Sequence, residues 1–147
     1  MASTRGGNKL KIVLEGIANA AKNARKVRVG FLSGATYPDG TPVALIAAIQ
    51  DYGAPRANIP SRPFFRNMVR DKKGAWPKQF GNVLKENKYD AKLSLELMGQ
   101  GIEDQLKEAI NQFEGAPLKA ATIRRKGFSK QLIESSYMVN HTGHEVK

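Results

Sequence analysis

Three prolines, Pro55, Pro60 and Pro63, lie within nine residues of one another. Proline fixes its own φ and disfavours the α region for the residue before it, so no helix continues through this segment. The same restriction leaves Ile59 and Arg62 little conformational freedom. We therefore predict a stiff segment, called here the proline corner (residues 53–65), that suits the presentation of side chains to the core or to a neighbouring chain.

Helices are predicted on both sides of the proline corner. Before it, Thr41 is the expected N-cap and Pro42 the first helical residue, and the helix ends at Gly53. After it, residues 64–71 are predicted to be helical. Phe64 and Phe65 are core residues by default, because aromatic side chains are usually buried. The alternative is that both contact another subunit.

Helical periodicity recurs in three further stretches, residues 8–24, 76–84 and 90–113. Asp90 is the expected cap of the longest of these helices. Its glycines, Gly99 and Gly101, each cost about 1 kcal/mol relative to alanine and mark a close crossing by another helix or a bend. Glu103 is expected away from the apolar face of this helix.

Alternating apolar and polar residues predict a half-buried strand at residues 27–32. A short second strand is expected at residues 35–37, and residues 136–139 also alternate. Thr142 and Gly143 are typical of the turn before a short closing strand. Because residues 122–147 are too polar to form a core of their own, they are expected to lie on the main sheet or on another subunit.

These elements predict an α+β fold, in which three to four helices pack on one face of a small antiparallel sheet and an extended C-terminal arm follows. The expected organisation is a disordered N-terminus at residues 1–8, a core domain at residues 9–117, and an arm with strands at residues 118–147.

Charge and composition narrow the classes of function. The 147 residues carry a formal net charge of +11, which favours a polyanionic neighbour, with nucleic acid ahead of an anionic membrane surface. There is no cysteine, and therefore no disulfide, thiolate nucleophile or cysteine-ligated metal. Residues 1–7 are too polar for a signal peptide, and no apolar run approaches the ~20 residues of a membrane span, so no membrane partner is expected.

Nothing in the sequence predicts an enzyme. The two histidines, His141 and His144, are three residues apart and with Glu145 could form a surface metal site, but such histidines are more often solvated. No serine lies in a nucleophile elbow, and no glycine-rich segment has the context of a phosphate loop. We therefore expect no catalytic residues, no cofactor and no metal.

Basic residues form two patches that could contact a phosphate backbone without reading sequence. One surrounds the proline corner, where two of its arginines, four residues apart, share a helix face. The other lies near the C-terminus. Neither has the interleaved aromatic residues of a base-stacking platform. The candidate DNA contacts are Arg56, Arg66, Arg70, Arg124, Arg125 and Lys126.

Three segments carry a resemblance to a known family: Val27 to Phe31, Val43 to Gly53, and Ile59-Pro60-Ser61-Arg62-Pro63-Phe64-Phe65. They resemble the front half of the tail-completion, or head–tail joining, proteins in the neck of long-tailed bacteriophages. In that family a V-x-V-G strand precedes a helix ending in a glutamate-phenylalanine-glycine-like step. An isoleucine-proline-alanine-arginine-proline-phenylalanine segment follows that helix.

The back half resembles this family through Thr122, Lys126-Gly127 and Lys130-Gln131-Leu132-Ile133-Glu134. Here Gln131 replaces the usual proline, and Ser135-Ser136 stands where the family has threonine-glycine. The match covers residues 27–65 and 122–139, and the helices between them match in pattern only.

The resemblance implies an α+β protein of the virion, present in the host cytoplasm during assembly. It implies a six-fold ring of identical subunits around the DNA channel, between head-side connector or adaptor proteins and a tail terminator or tail tube protein, with no catalytic residues. DNA backbone contacts in that channel would be sequence-blind. The expected subunit or partner contacts are Ile59, Arg62, Phe64, Phe65, Leu132 and Ile133.

Two alternatives remain open at this point. One, close in class, is a tail terminator or a minor capsid or tail protein. The other, of a different class, is a sequence-nonspecific DNA-binding protein that acts by itself.

Overall fold

The computed structural model describes residues 7–23, 26–113 and 136–147. In chain order the elements are α1 (Gly7–Asn23), β1 (Val27–Gly30), α2 (Val43–Tyr52), a 3-10 turn (Pro55–Ala57), α3 (Phe64–Lys72), α4 (Trp76–Glu86), α5 (Ala91–Gln112), α6 (Tyr137–Asn140) and β2 (Gly143–Val146). The fold is α+β, as predicted, but the sheet has only two strands and the described residues form six α-helices rather than three or four.

Helix α5 is the centre of the fold. It packs against both strands and against α1, α3, α4 and α6, whereas α2 packs against α3. Asp90 caps α5 as predicted, because its carboxylate accepts a hydrogen bond from Leu93 N at 3.0 Å. One buried cluster joins α2, α3, α5 and α6, and it consists of Val43, Ala47, Phe64, Met68, Leu106, Ile110 and Met138.

The predicted first and closing strands pair with each other. Strands β1 and β2 are antiparallel, with Val29 opposite His144. Lys26 and Lys147 exchange both backbone hydrogen bonds, at 3.0 and 2.9 Å. Because hydrogen-bonded and non-bonded pairs alternate along an antiparallel ladder, the N–H and C=O of Val29 point away from β2. They point to the other edge of β1, called here its free edge because no strand among the described residues pairs with it.

Two segments, one after β1 and one before β2, do not have the conformation that the sequence predicted. Residues 35–37 form no strand, only an isolated bridge between Thr36 and Pro42. Residues 136–139, predicted from their alternating pattern, are not extended. They form the start of α6, and this helix places Met138 in the core. The Tyr137 ring stacks on Tyr37 with centroids 4.7 Å apart, and its hydroxyl donates to Thr36 O at 2.6 Å.

The first residues of α1 and α2 differ by one or two positions from those that the sequence predicted. Pro42 has an extended backbone, with ψ 132°, and is the N-cap of α2 rather than its first residue. Gly7 and Asn8, expected in a disordered N-terminus, belong to α1. Residues 118–135 of the predicted arm lie outside the described residues. No described helix is long and apolar enough to cross a membrane.

Candidate subunit interface

The proline corner begins at a position that only glycine tolerates. Helix α2 ends at Gly53, whose φ is 79° and whose N–H donates to Ile49 O. A Cβ added to Gly53 would lie 2.7 Å from Ser61 N and 3.0 Å from Ile59 O. Both are backbone atoms, so the chain after α2 turns back tightly against itself.

Asp51 joins α2 to α3. Its carboxylate is buried and accepts hydrogen bonds from Phe65 N at 3.0 Å and Arg66 N at 3.3 Å. These are first-turn N–H groups of α3, whose own N-cap residue, Pro63, offers no side-chain acceptor. Asp51 therefore caps a helix that begins thirteen residues later in the chain.

Arg66 completes this network instead of projecting freely toward a phosphate. Its Nε donates to Asp51 Oδ2 and its Nη2 to Asp51 O, both at 2.7 Å. The guanidinium carbon lies 4.5 Å from the centre of the exposed Tyr52 ring. The charge of Arg66 is thus paired with a buried carboxylate and its donors stabilise the corner, while its contact with DNA stays a prediction.

Arg62 connects the corner to α2, and Ile59 holds the corner to itself. Arg62 N donates to Gln50 O at 2.7 Å, and its Nη1 donates to the Gln50 side chain. Burial lowers the pKa of Arg62. Ile59 is half-buried and bridges to Ala54. Because Arg62 is half-buried and bonded to Gln50, only the exposed part of its side chain is open to the predicted contact with a neighbouring subunit.

The two phenylalanines have different positions. Phe64 is 2% exposed and meets Phe31 edge-on with ring centres 6.4 Å apart. Phe64 is therefore a core residue, and the prediction that it contacts another subunit is wrong. Phe65 is half-buried and borders a surface groove.

This groove, of about 490 Å³, lies between β1, α2 and the start of α3, and we call it the α2–β1 groove. Its walls include Val29 of β1, Ala44 and Ala48 of α2, and Phe65 of α3. The exposed side of α2 continues the apolar surface with Leu45 (51% exposed) and Tyr52 (68%). Helix α2 contains no lysine or arginine, which is unusual in a chain of net charge +11.

The remaining predicted basic contacts are separated from this groove or fall outside the described residues. Arg56 is exposed in the 3-10 turn. Arg70 pairs with Asp71 at 2.8 Å, and this hydrogen bond raises the pKa of Arg70 and lowers that of Asp71. The other candidates, Arg124, Arg125, Lys126, Leu132 and Ile133, lie outside the residues that the structure describes.

A second polar cluster was missed because its members come from distant parts of the sequence. Glu103, expected off the apolar face, is buried, and Nδ1 of His144 lies 2.6 Å from its Oε2. Lys107 Nζ lies 2.5 Å from the other oxygen of Glu103, and His144 Nε2 lies 3.4 Å from Glu96. His144 is therefore not the solvated surface histidine that its sequence context favours. Within the described part of the chain, no group of three or more His, Cys, Asp or Glu side chains could hold a metal ion.

The described surface thus offers a stiff corner, an uncharged helix face and an apolar groove, which together can bind another protein chain. No protein-family model matches the sequence, and neither a curated protein nor a solved structure matches it.

Proposed function

We propose that this chain is a structural protein of a bacteriophage neck, a tail-completion protein that forms a ring joining the head connector to the tail around the DNA channel. The proposal starts from the resemblance of residues 27–65 and 122–139 to that family. In this proposal the chain performs no chemistry and acts through contacts with its own copies and with neighbouring neck proteins.

The observation that carries the proposal is the exposed apolar face of α2 beside the proline corner. A helix that is apolar on most sides is ordinarily buried, yet here only Val43, Ala47 and Asp51 are fully buried. Exposed apolar surface next to a rigid segment is typical of a protein–protein interaction site. A ring subunit needs such a surface for each neighbour.

Electron microscopy of the virion provides the direct test. Antibody or gold labelling of a tagged chain in intact particles should place it between head and tail. Label on the capsid shell, at the distal tail, or only outside virions would contradict the proposed position in the neck. Label at the head-facing end of an assembled tail before head attachment would instead favour a tail terminator.

Phe65→Ala tests whether the corner contributes to assembly. The expected result is a smaller particle in light scattering, or loss of incorporation into virions, with an unchanged circular dichroism spectrum. A matched control is Leu97→Ala, which removes a half-exposed leucine from α5, 48% exposed. Unchanged assembly with an unchanged fold would remove Phe65 from the interface.

A second candidate function is sequence-blind DNA binding by the chain alone, and the net charge of +11 favours it. A salt-titrated binding assay with duplex DNA separates the two candidates. Tight binding by the isolated chain with a steep salt dependence would favour the second, because each phosphate contact releases counterions.

A further inference from the structure

Besides the leucine pair Leu93 and Leu97 of α5, two separate apolar surfaces remain uncovered in the described part of the chain. The first is the α2–β1 groove with the adjoining face of α2. The second is a stripe on α1, where Leu10, Leu14 and Ile17 follow helical spacing and are 60%, 56% and 40% exposed. Helix α1 packs against α5, and this packing leaves the stripe open.

We propose that α1 of one copy lies in the α2–β1 groove of the next copy. This inference rests on the proposed function and deepens it by naming the two surfaces that meet between subunits. A contact between two different surfaces of the same chain is heterologous, and repeated heterologous contacts close into a ring when the rotation between copies permits. One such contact would cover both apolar surfaces on every subunit.

The free edge of β1 supports a helix as the occupant. The N–H and C=O of Val29 point to this edge, and within the described residues the sheet has no third strand to pair with them. Proteins commonly protect such an edge by covering it with a helix or loop. A helix of the neighbouring copy would cover the edge of β1 and at the same time pack on Ala44 and Ala48.

Charge also favours this pairing. Copies that each carry +11 repel one another, and a stable contact must avoid placing positive charges together. Helix α1 is itself basic, with Lys9, Lys11 and Lys22 against the single acid Glu15. Helix α2 has no basic residue, and Arg28, which also lines the groove, is paired with Glu145 at 3.6 Å. The groove therefore offers α1 a surface on which like-charge repulsion is weak.

Single cysteines test the contact, because the natural chain contains none. Leu14→Cys protein and Ala48→Cys protein are mixed at the highest concentration at which both stay dissolved, then oxidised gently. The expected result is a disulfide-linked heterodimer that forms about tenfold faster or more than in a mixture of Leu14→Cys with Lys78→Cys, since contact raises the local thiol concentration. Lys78 is exposed on α4 and lies outside both surfaces.

Two results would overturn the inference. One is a Leu14–Ala48 heterodimer that forms no faster than the Lys78 control. The other is a homodimer of Leu14→Cys that forms faster than the heterodimer, because this would mean that α1 packs against α1 in an isologous contact. All three sites are exposed, and unchanged thermal midpoints confirm that the variants fold.

Charge variants give an independent readout. Leu14→Glu and Ala48→Glu should each abolish association in sedimentation, whereas their equimolar mixture should recover a dimer through the one intact pair of surfaces. Failure of the mixture to recover any dimer, although the parent associates, would contradict a heterologous contact.

If labelling places the chain in the neck while no Leu14–Ala48 crosslink forms, the contact is wrong and the proposed function stands. If the crosslink forms but the chain is absent from virions, the contact stands and the proposed function is wrong.

Discussion

At the residue scale, the carboxylate of Asp51 receives three N–H donors, two from the first turn of α3 and one from the Arg66 side chain. A buried carboxylate needs such partners, because burying an unpaired charge costs far more than a hydrogen bond returns. Asp51 therefore determines where α3 begins and how it meets α2. The proline corner is stiff through this network as well as through its prolines.

Asp51→Asn tests this role. The amide keeps the size of the side chain but replaces one acceptor oxygen by a donor facing N–H groups, and we expect the free energy of unfolding to fall by about 2 kcal/mol. Urea denaturation at neutral pH measures the change. The control is Asp71→Asn, whose partner Arg70 lies with it at the surface, and which should leave the urea midpoint in place. Equal midpoints for the two variants would contradict a capping role for Asp51.

Sequence reasoning predicted the corner from its prolines but gave Asp51 no role and expected Glu103 away from the apolar face of α5. Proline acts on its own residue and on the one before it, so its effect is readable locally. Asp51 acts on N–H groups 14 and 15 residues away, and Glu103 meets His144 41 residues away. One signal for Asp51 was present, since a helix preceded by Pro63 lacks a side-chain cap and needs an acceptor from elsewhere.

At the element scale, α5 and the sheet approach each other closely at Gly99. A Cβ at this position would lie 2.6 Å from His144 Cδ2 and 2.8 Å from Val27 Cγ2. The sequence predicted a close crossing by another helix or a bend at the glycines, and the partner that lies close to Gly99 is instead the sheet. Gly101 is exposed, and a Cβ added there would meet no atom within 4 Å, so this glycine has no such role.

Gly99→Ala and Gly101→Ala should therefore have opposite effects. The first forces β1 and β2 away from α5, and we expect a loss of about 1–3 kcal/mol in the free energy of unfolding. The second removes backbone entropy from the unfolded chain without a clash, and we expect a gain of about 0.5–1 kcal/mol. Thermal unfolding of the two variants measures both changes, and a gain in both would contradict the close approach at Gly99.

The same interface makes stability depend on pH through Glu103. Burial raises the pKa of this carboxyl, but hydrogen bonds from Lys107 and His144 outweigh burial and hold the pKa below its ordinary value of 4.5. The unfolded chain therefore takes up the proton at a higher pH than the folded chain. The contribution of Glu103 is fully present above pH 4.5 and is lost as the pH falls through the folded pKa.

Glu103→Gln should remove this contribution. We expect the variant to be less stable than the parent at about pH 6, with a difference that shrinks as the pH falls through the folded pKa of Glu103, because the parent then also becomes uncharged at this position. Urea denaturation at several pH values measures the difference. Lys107→Met is the companion variant, because it removes a donor and should shift the loss of stability to higher pH. A difference that stays constant with pH would exclude Glu103 as the cause.

Elements with long periodic patterns were predicted well, whereas two of the short segments, residues 35–37 and 136–139, were not. Helix α5 and its cap follow from 22 residues of helical spacing and a preceding aspartate. Helix α6 has only four residues, too few for helical and alternating patterns to differ, and its conformation depends on Met138 entering the core. Residues 35–37 lacked a partner strand, which no local pattern could reveal.

At the scale of the whole molecule, positive charge is absent from the exposed apolar face of α2 but accompanies the apolar stripe on α1. The net charge of +11 is spread over most elements, while α2 has no basic residue. Charge of this size attracts polyanions, and apolar surface recruits protein neighbours. Both properties suit a subunit placed between protein neighbours and a DNA channel.

Arg56→Gln tests which charges meet DNA. Arg56 is exposed and forms no ion pair within the described part of the chain, whereas Arg70 is paired with Asp71. If Arg56 contacts a phosphate, the slope of log affinity for duplex DNA against log salt should decrease by about 1 in the variant. Fluorescence anisotropy over a salt series measures it, with Arg70→Gln for comparison. Unchanged slopes in both variants would assign DNA attraction to residues outside the proline corner.

The pairing of β1 with β2 joins residues more than a hundred positions apart. During translation the ribosome releases residues 27–30 long before residues 143–146 exist, so the helices have time to form first and the sheet closes late. Contacts of such long range slow folding, because loop-closure entropy is lost before they can form. Until β2 arrives, both edges of β1 and the α5 surface around Gly99 stay open to solvent, and a nascent chain stalled before residue 143 is the form most exposed to aggregation or to capture by chaperones.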